Sequence, residues 1–135
     1  MSVRPVGEIA SFHAHVYFDG AEQAAAARAL RERLAERFAV RLGGWRDQPV
    51  GPHARPMFQI AFAPELFGAI VPWLILNHGA LSILVHPNSG RPRDDHLRDR
   101  IWIGAALPLA EEVLPEREDE AETAGEPNTD PTLSP

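Results

Sequence analysis

The chain has 135 residues and a formal net charge of −6; it has no cysteine, and all 13 of its basic residues are arginine. That length is one domain's worth, and the composition excludes disulfides, thiolate chemistry, iron–sulfur clusters, Cys-type zinc sites and any lysine Schiff base. The acidic balance argues against a nucleic-acid binder, no apolar run approaches the ~20 residues of a membrane span, and the N-terminus lacks the apolar core of a signal peptide; a cytoplasmic domain is expected, with 6 histidines as its main chemical resource.

Residues 8 to 18 alternate, with Phe12, Ala14, Val16 and Phe18 on one face and Ser11, His13, His15 and Tyr17 on the other. That period predicts a strand with one buried face. Asp19 and Glu22 have the spacing of an N-cap with its capping-box partner. The helix that follows runs to about Phe38 and carries Ala27, Leu30, Leu34 and Phe38 on one stripe. Val40 to Trp45 reads as a second strand, and the turn formers of residues 47 to 56 as a loop. Met57 to Phe62 alternates again. Pro64 suits the first turn of a second helix, expected to reach about Leu76, with Pro72 kinking or breaking it and Asn77-His78-Gly79 stopping it. Leu81 to His86 is a fourth strand. A short helix is expected over 94 to 101 and an extended segment over 102 to 109.

The order β-α-β-β-α-β predicts an α+β, ferredoxin-like domain over residues 1–110: an antiparallel sheet with two helices on one face. Residues 111–135 are expected to form an acidic, proline-rich tail, disordered from about residue 116. That tail holds nine acids and one arginine (−8), leaving ten acids and twelve arginines (+2) in residues 1–110. After Leu114 it has too little apolar surface to offset chain entropy.

In this plan the apolar sets face the helices, and the opposite face receives His13, His15, Gln59 and His86. His53 sits in the loop feeding the third strand, between Pro52 and Pro56. Two histidines two apart on a strand lie roughly 6.5–7 Å apart at Cα and can close on one ion; imidazoles suit zinc, copper or non-haem iron. His78 reads as a helix cap, Tyr17 as an edge-of-core residue, and His96 as an outer partner of the site or a substrate contact. Arg55, Arg91 and Arg93 flank two of the histidine segments and could match a carboxylate. No phosphate-cradling glycine loop or serine-nucleophile elbow is present. Half of the sheet would stay uncovered, leaving Trp45, Met57 and Leu84 wet, so a homodimer is expected.

Taken in order, several segments resemble the DOPA 4,5-dioxygenase family. They are Phe12-His13-Ala14-His15-Val16-Tyr17-Phe18, Gly51-Pro52-His53 and Pro56-Met57-Phe58-Gln59-Ile60-Ala61-Phe62, then Leu76-Asn77-His78-Gly79, Leu81 through Gly90, Asp95-His96 and Trp102-Ile103-Gly104. Ser89, Arg91 and Ala54 depart from the family's usual threonine, acidic residue and proline. The resemblance implies a ferredoxin-like fold and Fe(II)-dependent extradiol cleavage of a catechol by O2, with zinc or another divalent metal as an occupant of the purified protein. On that reading His15, His53 and His86 are the metal ligands, His13 is the catalytic proton shuttle or a fourth ligand, and His96 and Arg55 orient the substrate. Two competing readings are a metal- or small-ligand-binding module without oxygenase turnover, and an interaction domain whose open sheet face dimerises. Metal with oxygen uptake on catechols, metal without turnover, and histidines buried in a subunit interface distinguish the three.

Overall fold

The computed structural model describes residues 2–135. Strands β1 (Ser11–Tyr17), β2 (Arg41–Arg46), β3 (Met57–Phe62), β4 (Ser82–Asn88) and β5 (Ile101–Ile103) form one sheet in the order β2-β3-β1-β4-β5, with every pairing antiparallel. Helices α1 (Gly20–Arg37) and α2 (Phe67–Asn77) are the crossovers, and a short α3 (Pro92–Leu97) precedes β5. The first four strands follow the ferredoxin-like plan; β5 extends it at the β4 edge.

The side-chain alternation of β1 divides the molecule. Ala14 and Val16 join Phe58, Ile60, Phe62, Ile83 and Val85 in a core closed by Ala27, Leu30 and Leu34 of α1 and Ile70 and Leu74 of α2. Each such side chain taken fully out of water contributes on the order of 1.5–3 kcal/mol. Tyr17, Met57 and Leu84 lie on the other face, covered by Trp102, Leu107 and Leu109. The wetness that motivates a dimer is therefore absent: Met57 is 5% and Leu84 0% exposed within one chain. Trp45 lies on the helix side, stacked on Phe18 and near-parallel to Phe58. A register shift between Leu42 and Trp45 carries it there, as an extra residue in a strand does.

Three local expectations change. Gln23 rather than Glu22 reaches back at the start of α1, its Oε1 accepting from the Asp19 N–H, while the Asp19 side chain makes no cap bond. Helix α2 runs unbroken through Pro72, after a 3-10 turn at Pro64–Leu66. The C-terminal segment lies along the domain instead of leaving it. Glu118 N–H donates to Gly90 C=O, and Thr132 and Leu133 N–H both donate to Glu36 C=O. The Asn128 amide brackets Leu42, accepting from its N–H and donating to its C=O, and Thr129 Oγ1 serves Val40 N–H and Phe38 C=O. This segment is held by polar bonds along the free edge of β2, where unpaired backbone groups invite a partner; an apolar count does not register such anchors.

Candidate metal centre

Because β1 is central, its polar face meets both neighbours. His13 pairs directly with His86 of β4, and His15 lies between Gln59 of β3 and Leu84 of β4. His53 comes from the 47–56 loop, tied by its own N–H to Val50 C=O and by a bridge to Leu109. His96 comes from α3, whose start is locked by the buried Asp95 carboxylate. That carboxylate accepts from Ser89 N–H at 2.9 Å and from Ser89 Oγ at 2.6 Å, which is the hydroxyl the serine at position 89 retains. The His96 ring packs on His86 with centroids 3.8 Å apart, and His15 on His53 at 4.0 Å.

Two groups of three histidines have nitrogens mutually within 4.8 Å: His13, His15 and His86, and His15, His53 and His96. The Nε2 atoms of His15 and His86 are 3.0 Å apart. Two donors each about 2.0–2.1 Å from one ion are separated by about 3.0–3.4 Å, so the pair needs little movement to share a metal. The hydrogen bonds assign tautomers. His86 Nδ1–H donates to Pro87 C=O at 2.8 Å and His96 Nδ1–H to Pro92 C=O at 2.7 Å, leaving Nε2 of each as a lone pair; an Nδ1–H held by a carbonyl is the usual arrangement of a metal-ligating histidine. His53 differs. Its Nδ1 is 2.6 Å from the Tyr17 hydroxyl; that O–H has no other acceptor, so it donates to Nδ1 and the ring proton sits on Nε2. His13 Nε2 and His15 Nδ1 are buried with no hydrogen-bond partner, the state in which a nitrogen awaits an ion or pays for its burial. The donor set therefore fits a divalent metal.

Charge points the same way. Burial, reinforced by the neighbouring imidazoles, holds His15 and His86 well below the usual histidine range. His53 is pushed down to about 4, chiefly by burial, and burial outweighs the Pro92 carbonyl in lowering His96. All four rings are neutral at pH 7, as metal ligands must be. Burial also raises the Tyr17 hydroxyl, keeping it a donor. Since the unfolded chain binds these protons near pH 6.5 and the folded one does not, stability is complete above pH 6.5 and falls as pH drops toward the folded values. For His53 alone, a decrease from pH 6.5 to 5 costs about 2 kcal/mol. The metal-free protein is expected to melt at least about 6 °C lower at pH 5 than at pH 7; a flat profile in calorimetry would show that the rings are protonated in the fold.

Of the residues singled out in the sequence, the structure gathers His13, His15, His53, His86 and His96. The set His15, His53 and His86 is not one of the two groups that close within 4.8 Å; it takes members from both. Arg55 is half-buried in the loop and absent from the lining of the cavity beside His53. That cavity, of about 300 Å³, is bounded by Arg46, Gly43, Gly44, Met57 and Gln59. Arg91 and Arg93 line a different cavity with Arg98 and Arg117. His78 stays apart, its Nδ1–H donating to Leu81 C=O at the end of α2. Tyr17, expected as an edge-of-core residue, instead meets His53; its parity with His13 and His15 is the signal that could have marked it. Arg46 had no such signal, because the β2 irregularity decides which way it projects.

The model of the Dopa 4,5-dioxygenase family matches residues 12–113. An uncharacterized 21.2 kDa protein of Botryotinia fuckeliana is 43% identical over 110 residues, covering 73% of this chain and 60% of that one. The DOPA 4,5-dioxygenase of Amanita muscaria is 37% identical over 121 residues, 84% of this chain and 53% of that one. The chain thus spans between half and two thirds of the length of these curated relatives. A crystal structure of a "putative dioxygenase" from Nostoc punctiforme superposes with a TM-score of 0.80 at 50% identity, covering 82% of this chain and 96% of that one.

Proposed function

The chain belongs to the Dopa 4,5-dioxygenase family, and from that premise we propose that it is a metal-dependent extradiol dioxygenase that opens a catechol ring with O2. The observation that carries the metal part of this reading is the His15–His86 pair, with Nε2 atoms 3.0 Å apart and His13 closing the group. We assign His13, His15 and His86 as the residues that hold the ion. Imidazole donors with open positions suit non-haem Fe(II), with zinc or another divalent ion competing for the same nitrogens. When bound, the metal supplies a Lewis-acid and redox centre for the catechol and O2.

The chain's own residues do the rest. His53, with its proton on Nε2 and its Nδ1 held by Tyr17, is placed to donate and recover a proton at the substrate oxygen. The Tyr17 hydroxyl restores the tautomer after each transfer. The cavity beside His53 has room for one aromatic ring, and Arg46 on its wall offers a guanidinium to a substrate carboxylate. Tyr17, Met57 and Leu84, under Trp102, Leu107 and Leu109, keep water from the inner side. No helix among the described residues is long and apolar enough to cross a membrane.

The test is anaerobic loading with Fe(II) followed by oxygen-electrode measurements on a panel of catechols with and without a carboxylate. One O2 should disappear per catechol, both atoms entering a coloured ring-opened semialdehyde. Stoichiometric metal with no oxygen uptake across the panel would instead make the protein a metal-binding module without turnover.

A further inference from the structure

The C-terminal segment crosses the rim of the histidine group and brings an acid to it. Ser11 and Asn88 are polar residues buried at the ends of β1 and β4, on the same face as His13 and His86. Asn88 Nδ2 donates to Ser11 Oγ, and Ser11 Oγ–H donates to the Glu122 carbonyl. A buried relay of this kind is costly unless it has a partner to hold, and the backbone of residue 122 is that partner. Further anchors lie on both sides: Glu118 N–H on Gly90 C=O, and Arg41 Nη1–H on Glu126 C=O followed by the Asn128 clamp on Leu42. Between these anchors the Glu122 carboxylate stands 3.5 Å from His13 Nε2, the buried nitrogen that has no hydrogen-bond partner. The His13 side chain is only 8% exposed, whereas the Glu122 side chain is 55% exposed, so the contact lies at the rim of the buried histidine group.

We propose that residues 118–129 form a built-in strap that delivers Glu122 to His13 as an acidic outer partner of the metal-holding group, touching His13 without joining the three nitrogens that close within 4.8 Å. This rests on the reading of His13, His15 and His86 as metal ligands, and it goes beyond the family-matched part of the chain, which ends before the strap begins. A carboxylate beside imidazoles adds negative charge to balance a divalent ion and selects harder cations over thiophilic ones. The strap also ties that acid to the edge of β2, so the site and the sheet edge are closed by one segment.

The experiment is a titration of the metal-free, full-length protein with Co²⁺ alone, read by its visible absorption. Glu122→Gln should weaken Co²⁺ binding 10–100-fold and alter the absorption bands, the range typical for losing a carboxylate partner of a metal site. Glu122→Asp should recover part of the affinity. Glu120→Gln, with the same change of charge on the same strap, should bind like wild type. Wild-type affinity and spectrum in Glu122→Gln, or equal losses in both glutamine variants, would overturn the role of Glu122 and leave the histidine site standing. A wild-type protein that takes up no Co²⁺ would overturn both.

Discussion

His15→Ala is expected to abolish metal binding and turnover together. His15 is the residue common to both histidine groups, so its removal leaves no such set of three among the described residues. The loss should exceed the 10–100-fold typical of removing an outer partner, because a donor itself is deleted. The fold should survive. The ring is 2% exposed and its Nδ1 has no partner, so the substitution removes a costly buried polar atom while opening a cavity, and the two effects oppose each other. His15→Gln, which fills more of the space, guards against a trivial collapse. His78→Ala is the control: that ring bonds the Leu81 carbonyl beyond the end of α2 and should leave metal content unchanged. Metal content per chain by emission spectrometry, alongside a melting curve, decides the matter. Full metal in folded His15→Ala would remove both histidine groups from consideration.

What could be read from the amino acids follows the physics that acts locally. The period of two in Ser11–Tyr17 places Ser11, His13, His15 and Tyr17 on one face whatever the rest of the chain does, and Met57–Phe62 has the bounds its alternation predicts. The order of elements then brings β4, and with it His86, beside β1. Three things depend on contacts distant in sequence and were not legible. The side of the sheet taken by Trp45 turns on a register shift within β2. The tautomer of His53 turns on which residue meets its Nδ1, and the partner, Tyr17, is 36 positions away. The path of the C-terminal segment turns on single hydrogen bonds from Asn128, Thr129 and Thr132 to backbone groups near residues 36 to 42. Composition sees nine acids there and no core; it does not see that Ser11 and Asn88 lie buried beneath.

The sharpest test of the proposed roles lies between His13 and His53. Residue pattern and family likeness together suggest His53 as a ligand and His13 as the proton carrier; the hydrogen bonds support the exchange of those roles. His13 closes with His15 and His86, and its Nε2 is free of any competing hydrogen bond. His53 has its Nδ1 lone pair engaged by Tyr17 at 2.6 Å and its ring proton on Nε2, so neither nitrogen offers a free lone pair until that proton moves. His53→Ala is therefore expected to keep its metal and lose about 10²–10⁴ in kcat, the range for a general acid–base group. His13→Ala is expected to lose metal and, with it, all turnover. Tyr17→Phe should fall between them: metal retained and kcat lowered, because His53 Nδ1 loses the donor that holds its tautomer. Metal analysis of each variant before the oxygen-electrode assay separates the two kinds of loss. Retention of metal by His13→Ala together with its loss from His53→Ala would restore the assignment of His15, His53 and His86 as the ligands, with the proton passing through His13.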